Sequence, residues 1–281
     1  MFWVIFPVFF WLFATGSIWL IYGLAVMNNH VDPAVEFPYI STCGTYPPQS
    51  CIFGQLLNFG ALMVGSISVM RYRFLEEQGD RSWVNKISLA AGLLSALGAS
   101  LVGNFQVLNE INTHLVGAVL AFGVGTLYFW MQTGLAFRLR SARIARGTSR
   151  CSHGVLIIVT ALGSTASTVS AALLLTFNFM GHKSEAAIFE WILAMVMFAL
   201  FATFSFDFHE IRSSGLSVKL REPPPRARMS LRETPNVSTI TLSRPSPSRD
   251  GWADTHEQME RASAGQPRNV NDLAWSTGNR A

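Results

Sequence analysis

Charged residues are scarce in this sequence, and their absence from long stretches excludes a water-soluble fold. Only 14% of the 281 residues are charged, whereas soluble domains usually carry about a quarter. The first 70 residues contain two charges, Asp32 and Glu36, while the segment after Phe206 contains twenty. Length alone would permit one or two soluble domains. Uninterrupted apolar runs of more than about 18 residues exclude these and indicate membrane-spanning segments.

The sequence also lacks the motifs of catalytic, metal and nucleotide sites. It has no His-Glu-x-x-His helix, Gly-x-Ser-x-Gly elbow, phosphate loop or dinucleotide fingerprint. Its six histidines lie in loops, at the ends of apolar runs or in the C-terminal tail, and none has a partner at metal-ligand spacing. No nucleic-acid module is present either. We therefore predict a protein that is not an enzyme and that uses no cofactor, metal or nucleic acid.

Six apolar runs are long enough to cross a bilayer as helices, which advance 1.5 Å per residue through a core of about 30 Å. Backbone groups in lipid must satisfy their own hydrogen bonds, and the alternating pattern of a β-barrel is absent. The first run lacks a positive n-region and is too long for a signal peptide, although cleavage after Ala25 is the alternative. The sequence predicts an all-α, six-helix membrane bundle with spans at residues 2–27, 52–70, 87–107, 115–137, 155–179 and 186–206.

Basic residues lie almost entirely on one side of this predicted bundle. Of the 21 lysines and arginines, 20 fall in segments 71–86 and 138–150 and in the tail, and the opposite side holds only Lys183. The positive-inside rule therefore places the basic side and both termini in the cytosol. Basic side chains there can contact anionic lipids, although charge that merely sets topology is the simpler interpretation. The candidate contacts are Arg138, Arg140, Arg143, Arg146 and Arg150.

Two of the three cysteines share the first outer loop, residues 28–51. Cys43 and Cys51 face an oxidising compartment in the predicted topology, which favours a disulfide over two free thiols. Cys151 lies at the cytosolic start of the fifth span. It is a palmitoylation candidate by position, and an unmodified cysteine at the membrane edge is the simpler interpretation.

Four polar residues fall near the outer ends of three predicted spans, where polar groups are costly. They are Asn58 in the second span, Asn104 and Gln106 in the third, and Glu190 in the sixth. One hypothesis is a site for a small ligand, a lipid headgroup or a cation. The alternative, which we favour, is a structural hydrogen-bonded cluster in which Glu190 snorkels or is partly protonated.

Small residues recur every fourth position in the third and fourth spans, at Ala91, Ser95, Ala99 and Gly103 and at Gly117, Ala121 and Gly125. Such faces let helices approach closely in lipid. We predict that these two spans pack against each other, and a homodimer is the less favoured alternative.

The composition changes after residue 207. The segment 208–281 is rich in Ser, Pro and Arg and has few apolar residues with which to form a core. We predict a disordered cytosolic tail that binds protein partners.

Three sequence segments resemble one family. They are residues 37–41 (Phe-Pro-Tyr-Ile-Ser), residues 47–53 (Pro-Pro-Gln-Ser-Cys-Ile-Phe) and residues 102–106 (Val-Gly-Asn-Phe-Gln), joined by Glu190-Trp191. Together they are similar to the damage-regulated autophagy modulator (DRAM) family over about residues 1–210. The resemblance is strongest to its transmembrane protein 150 branch, and within it to the B type, whose first outer loop is similarly short. The long tail departs from the compact ending of the B type.

The resemblance implies a six-span regulator that promotes autophagy and survival under nutrient stress. It also implies a location in plasma, endosomal, lysosomal or autophagosomal membranes. Related branches are associated with organisation of phosphoinositide kinases and with mechanically evoked currents, so a lipid-kinase scaffold or a channel accessory is the alternative function. Function transfers poorly within one fold.

Overall fold

The computed structural model describes residues 2–145 and 150–211, and this part of the chain is helical throughout apart from short connections. The predicted tail begins at 208, and its residues from 212 onward lie outside the described part. The helices are α1 (Phe2–Met27), α2 (Ile40–Cys43), α3 (Gln49–Glu77), α4 (Trp83–Asn104), α5 (Ile111–Ala118), a π-helical segment (Val119–Val124), α6 (Gly125–Arg138), α7 (Arg140–Ala145), α8 (Arg150–Met180) and α9 (Lys183–Phe208).

Six helical stretches in the described residues are long and apolar enough to cross a membrane, which confirms the predicted number. They are α1, α3, α4, the stretch Ile111–Arg138, α8 and α9. Most extend a few residues beyond the apolar runs of the sequence, because a helix continues through the polar interface until a turn ends it. The molecule is thus a multi-pass membrane protein.

The six spans close into a ring. Going round it, α1 packs against α3, α3 against α4, and α4 against the stretch from α5 to α6. The ring continues from α6 to α8, from α8 to α9, and from α9 back to α1. The pairs joined by tight connections are neighbours, as expected for antiparallel helices with short loops. We call the end that carries residues 28–48 the loop end, and the opposite end the basic end.

The fourth span is interrupted by its π-helical segment, which the sequence pattern did not predict. A π-helical turn weakens the regular i→i+4 ladder and leaves carbonyl groups for outside donors. Here the hydroxyl of Ser95 in α4 donates to the carbonyl of Ala121 at 2.9 Å.

Close packing of α4 on this stretch accounts for much of the small-residue pattern. A Cβ atom at Gly98 would clash with the backbone at Gly117 and Ala121, so the two helices nearly touch there. Gly103, which belongs to the same predicted stripe as Ser95, instead approaches Leu57 of α3. The predicted packing of the third span on the fourth is therefore confirmed. The same stripe of small residues also lets α4 approach α3 closely.

Aromatic side chains fill the centre of the bundle. Phe129 of α6 packs edge-on against Phe201 of α9 with ring centroids 4.8 Å apart, and Phe10 of α1 approaches Phe201 at 5.3 Å. Tyr128 and Phe204 complete the cluster, and all five side chains are almost fully buried. Because lipid tails are as apolar as these rings, the helices associate here by shape complementarity rather than by exclusion of water.

Candidate functional site

A buried ion pair crosses the bundle near the basic end. The Nη1 atom of Arg71 in α3 lies 2.6 Å from Oδ2 of Asp207 in α9, and both side chains are only 2–3% exposed. Arg71 also donates from Nε to Oε1 of Gln132 in α6 at 2.9 Å. The amide of Gln132 in turn donates to the hydroxyl of Ser88 in α4 at 2.5 Å. Four of the six spans therefore share one hydrogen-bonded network, which we call the four-helix network.

Two phenylalanine rings enclose the guanidinium group of Arg71. The carbon Cζ lies 5.4 Å from the ring centroid of Phe74 and 5.1 Å from that of Phe204. Both distances allow an attractive cation–π interaction, which is strongest where water is excluded. A charge inside a membrane protein is costly unless it is paired, and here the carboxylate, the amide and the two rings together compensate it.

Both residues of this ion pair adjoin the predicted spans, and their pairing was missed. Each directly follows an apolar run in the sequence, and Arg71 is the first residue of the basic segment 71–86. One available indication was topological. The second and sixth spans run in the same direction, so residues at their C-terminal ends lie at the same depth. That argument predicts a common level, and only the packing shows that the two side chains face each other.

Residues 28–48 form a strap that is docked onto the loop end, where it contacts both α1 and α9. Glu190, which is buried in α9, accepts the backbone N–H of Ile40 at 2.6 Å through Oε2. The indole of the next residue, Trp191, donates to the carbonyl of Pro38 at 3.1 Å. One helical turn or more before them, the hydroxyl of Ser184 accepts the N–H of Phe37 at 3.0 Å. Three successive contacts thus join one strap segment to one helix.

Aromatic packing reinforces the docked strap. The ring centroid of Trp191 lies 4.8 Å from that of Trp19 and 5.7 Å from that of Tyr22, both in α1, and 6.1 Å from that of Phe37 in the strap. Aromatic pairs at such distances attract one another beyond the area that they bury. Trp191 therefore connects the strap, α1 and α9 at one point.

The buried setting of the strap changes the acidity of two of its side chains. Burial raises the pKa of the Cys43 thiol to about 12, and the nearby carboxylate of Glu190 adds to this effect. The pKa of Tyr39 is also raised, first by burial and then by the charges of Glu190 and Glu36. Both groups stay protonated near neutral pH, so neither is a nucleophile or a base in this state.

The four polar residues predicted near the outer ends of the spans, which we call the polar layer, do not all meet in the structure. Asn58 and Asn104 exchange two side-chain hydrogen bonds, at 3.1 Å and 2.9 Å, and Ser100 donates to Asn58 at 2.6 Å. Gln106 instead accepts from the amide of Asn109 in its own loop at 3.1 Å. Glu190 holds the strap. The hydrogen bonds therefore join only two of the four residues, and they do not form a single network.

The predicted disulfide is not formed in the structure. Cys43 is a buried free cysteine that packs with Ile40 and Phe53, and Cys51 is an exposed free cysteine in the first turn of α3. The sequence placed both in one loop, whereas in the structure α3 begins at Gln49, so Cys51 lies in this helix and outside the strap. The pairing is not confirmed and stays a prediction.

The predicted lipid-contacting arginines are only partly described. Arg138 is half exposed, and its Nη1 lies 3.4 Å from the hydroxyl of Ser82 and 3.9 Å from a carboxylate oxygen of Asp80. Arg140 is exposed. The side chains of Arg143, Arg146 and Arg150, and that of Cys151, lie outside the described part of the chain. Across the described residues, no three His, Cys, Asp or Glu side chains are grouped so that they could hold a metal ion.

Comparison with known proteins gives a family match over the whole membrane bundle. Residues 2–211 match the model of the Frag1/DRAM/Sfk1/Cwh43P N-terminal domain. The chain is 42% identical to the modulator of macroautophagy TMEM150B of Xenopus tropicalis, over 86% of this chain and 98% of that protein. It is 40% identical to the human protein of the same name, over 80% of this chain and 95% of the relative. Human transmembrane protein 150A is 33% identical over 80% of this chain and 90% of its own length. No solved structure matches.

Proposed function

Since this chain belongs to the Frag1/DRAM/Sfk1/Cwh43P family, we propose that it is a non-enzymatic membrane regulator that promotes autophagy and cell survival under nutrient stress. The observation that carries the proposal is the identity of about 40% with relatives named as modulators of macroautophagy, over nearly their full length. The family match covers residues 2–211, which contain the six helices and the strap, so both belong to the part that the family shares.

The chemistry of the two sites supports a regulator. In the four-helix network, a carboxylate and an amide hold the guanidinium of Arg71. At the loop end, Glu190 and Trp191 bind backbone groups of the strap. Hydrogen bonds of this kind fix one arrangement of helices and one surface at each end. A regulator needs such surfaces for its partners.

The orientation and location of the protein are part of the proposal. The basic end faces the cytosol, because 20 of the 21 basic residues fall in the sequence segments 71–86 and 138–150 and in the tail. The strap then faces the exterior or the lumen of plasma, endosomal, lysosomal or autophagosomal membranes. The arginines from Arg138 onward contact anionic lipids of the cytosolic leaflet, and the tail after residue 211 binds protein partners.

Autophagic flux in cells that lack the protein tests this function. Turnover of a lipidated autophagosome marker, measured with and without a lysosomal inhibitor, is expected to fall in starved cells and to recover when the full chain is restored. The variant Glu190→Leu, which undocks the strap, is expected to restore flux less well than Glu185→Leu, an exposed carboxylate of the same helix. Unchanged flux in starved cells that lack the protein would contradict the proposal.

A further inference from the structure

An apolar cavity of about 290 Å³ lies at the basic end, between the start of α1 and the end of α9. Its walls are Trp3, Val4 and Ile5 on one side and Phe208, His209 and Ile211 on the other. Neither the four-helix network nor the strap uses it. We propose that this cavity binds one acyl chain of a membrane phospholipid, and that the bound lipid is an integral part of the folded protein rather than passing bilayer solvent.

The position of the cavity suits a phospholipid. Helices α1 and α9 are each 26 residues long, which at 1.5 Å per residue is about 39 Å and exceeds the hydrocarbon core of about 30 Å by a few ångströms at each end. The lining residues occupy the first turn of α1, the last residue of α9 and the short segment that follows it. The cavity therefore lies at the boundary between acyl chains and headgroups, where a lipid presents its glycerol end.

The lining has the polarity of an amphiphile's site. Six lining side chains belong to the described residues: five are apolar, and the sixth is the imidazole of His209, which is exposed. Ile5 is 60% exposed, so the cavity is open sideways toward lipid. An acyl chain can enter past Ile5, while the ester or phosphate oxygens remain within reach of a hydrogen bond from His209. The volume admits part of one acyl chain.

The inner wall of the cavity adjoins the four-helix network. Phe208 is fully buried, and its ring centroid lies 6.3 Å from that of Phe204, which in turn covers the guanidinium of Arg71. Phe208 also directly follows Asp207. An acyl chain in the cavity therefore packs against Phe208, the aromatic residue next to the ion pair. Binding to the folded state alone stabilises that state by mass action, so the lipid is expected to raise the unfolding temperature.

Retention of lipid by the purified full-length protein tests the proposal. After extensive washing in detergent, we expect about one phospholipid per chain by phosphate analysis, as a site of this kind requires. Val4→Trp and Ile211→Trp fill the cavity from opposite walls and are expected to lose that lipid. The matched control is Val155→Trp, which adds the same ring at an exposed position near the basic end of α8 and is expected to keep it.

A photoreactive side chain at position 5, on the open side of the cavity, identifies the occupant and leaves the cavity unfilled. Benzoylphenylalanine in place of Ile5 is expected to react with phosphatidylcholine in nanodiscs and also when it is irradiated after transfer into detergent, whereas the same group at position 155 reacts only in nanodiscs. Equal reaction at both positions would reduce the site to ordinary bilayer contact and overturn the proposal. A crosslink from position 5 to a peptide beyond residue 211 would do the same, because the occupant would then be the tail. If the tryptophan variants do not fold, phosphate analysis of the unmodified protein and photocrosslinking still decide the question.

Discussion

The two ends of the bundle are held by different kinds of polar contact. At the basic end, Arg71 and Asp207 are charged side chains from two spans that meet inside the protein. At the loop end, Glu190 is a single buried carboxylate that accepts a backbone N–H from outside the bundle. The first contact joins helix to helix, and the second joins a strap to a helix.

This difference predicts different consequences when each contact is broken. Loss of one partner of the ion pair leaves a charge stranded among four spans, so the whole fold is weakened. Loss of Glu190 leaves a stranded N–H in the strap, which can separate from the bundle and recover its hydrogen bond from water. The basic end is therefore a determinant of global stability, and the loop end is a determinant of local order.

The largest effect is expected from breaking the ion pair. Arg71→Met strands the carboxylate of Asp207 and should lower the free energy of unfolding by about 3–5 kcal/mol. The double variant Arg71→Met, Asp207→Leu removes both charges and should be clearly more stable than Arg71→Met. Denaturant unfolding in mixed micelles, followed by tryptophan fluorescence, measures both.

The control for this prediction is a second ion pair on the same helix. Arg73 lies 3.0 Å from Glu76, but its side chain is 72% exposed, and an exposed pair is worth about 0–1 kcal/mol. Arg73→Met should therefore be close to the unmodified protein. A double variant at Arg71 and Asp207 that is as unstable as Arg71→Met would show that the pair does not act as described.

Replacement of Glu190 is expected to have a smaller and more local effect. Glu190→Leu leaves the N–H of Ile40 without its acceptor, a loss of about 1–3 kcal/mol, whereas Glu190→Gln keeps an acceptor oxygen. Hydrogen exchange should therefore quicken across residues 37–43 in the Leu variant, less in the Gln variant, and not in Glu185→Leu. Exchange that rises equally in α3 and α6 would mean that Glu190 supports the whole bundle instead of the strap.

The sequence predicted features that depend on the composition of one segment, and it missed features that depend on contacts between distant segments. The six spans were predictable because bilayer thickness fixes the length of each apolar run. The ion pair was not, since Arg71 and Asp207 lie 136 residues apart and their contact depends on which helix faces meet. Glu190 was recognised as unusual, but its partner is the backbone of Ile40, and backbone groups leave no mark in a sequence. The π-helical segment likewise consists of residues that any apolar span could contain.

The third prediction uses the two cysteines to measure docking of the strap. Cys51 is exposed, while Cys43 is 2% exposed and its thiol has a pKa raised to about 12. A maleimide at neutral pH should therefore modify Cys51 fully while Cys43 stays unmodified, because the thiolate is the reactive form. Glu190→Leu should make Cys43 reactive. If neither cysteine reacts until a reductant is added, the disulfide predicted from the sequence exists in the protein.

The smallest effect is expected at the amide pair of the loop end. Asn58 and Asn104 exchange two hydrogen bonds between α3 and α4, yet interhelical hydrogen bonds in membrane proteins average only about 0.6 kcal/mol. Asn104 is exposed and Asn58 is half-buried, so water or lipid oxygens can replace a lost partner. A double-mutant cycle with Asn58→Leu and Asn104→Leu should give a coupling energy near that average, measured as for Arg71.

The same cycle with Asn58→Leu and Glu190→Gln decides whether the polar layer is one unit. Glu190 bonds to Ile40, whereas Asn58 bonds to Asn104 and Ser100, so their effects on unfolding should add. Sites without shared partners usually add to within about 0.3–0.5 kcal/mol. A coupling between Asn58 and Glu190 as large as that between Asn58 and Asn104 would restore the single layer that topology alone predicts. The loop end would then resemble the basic end, with side chains of several spans acting together beneath the docked strap.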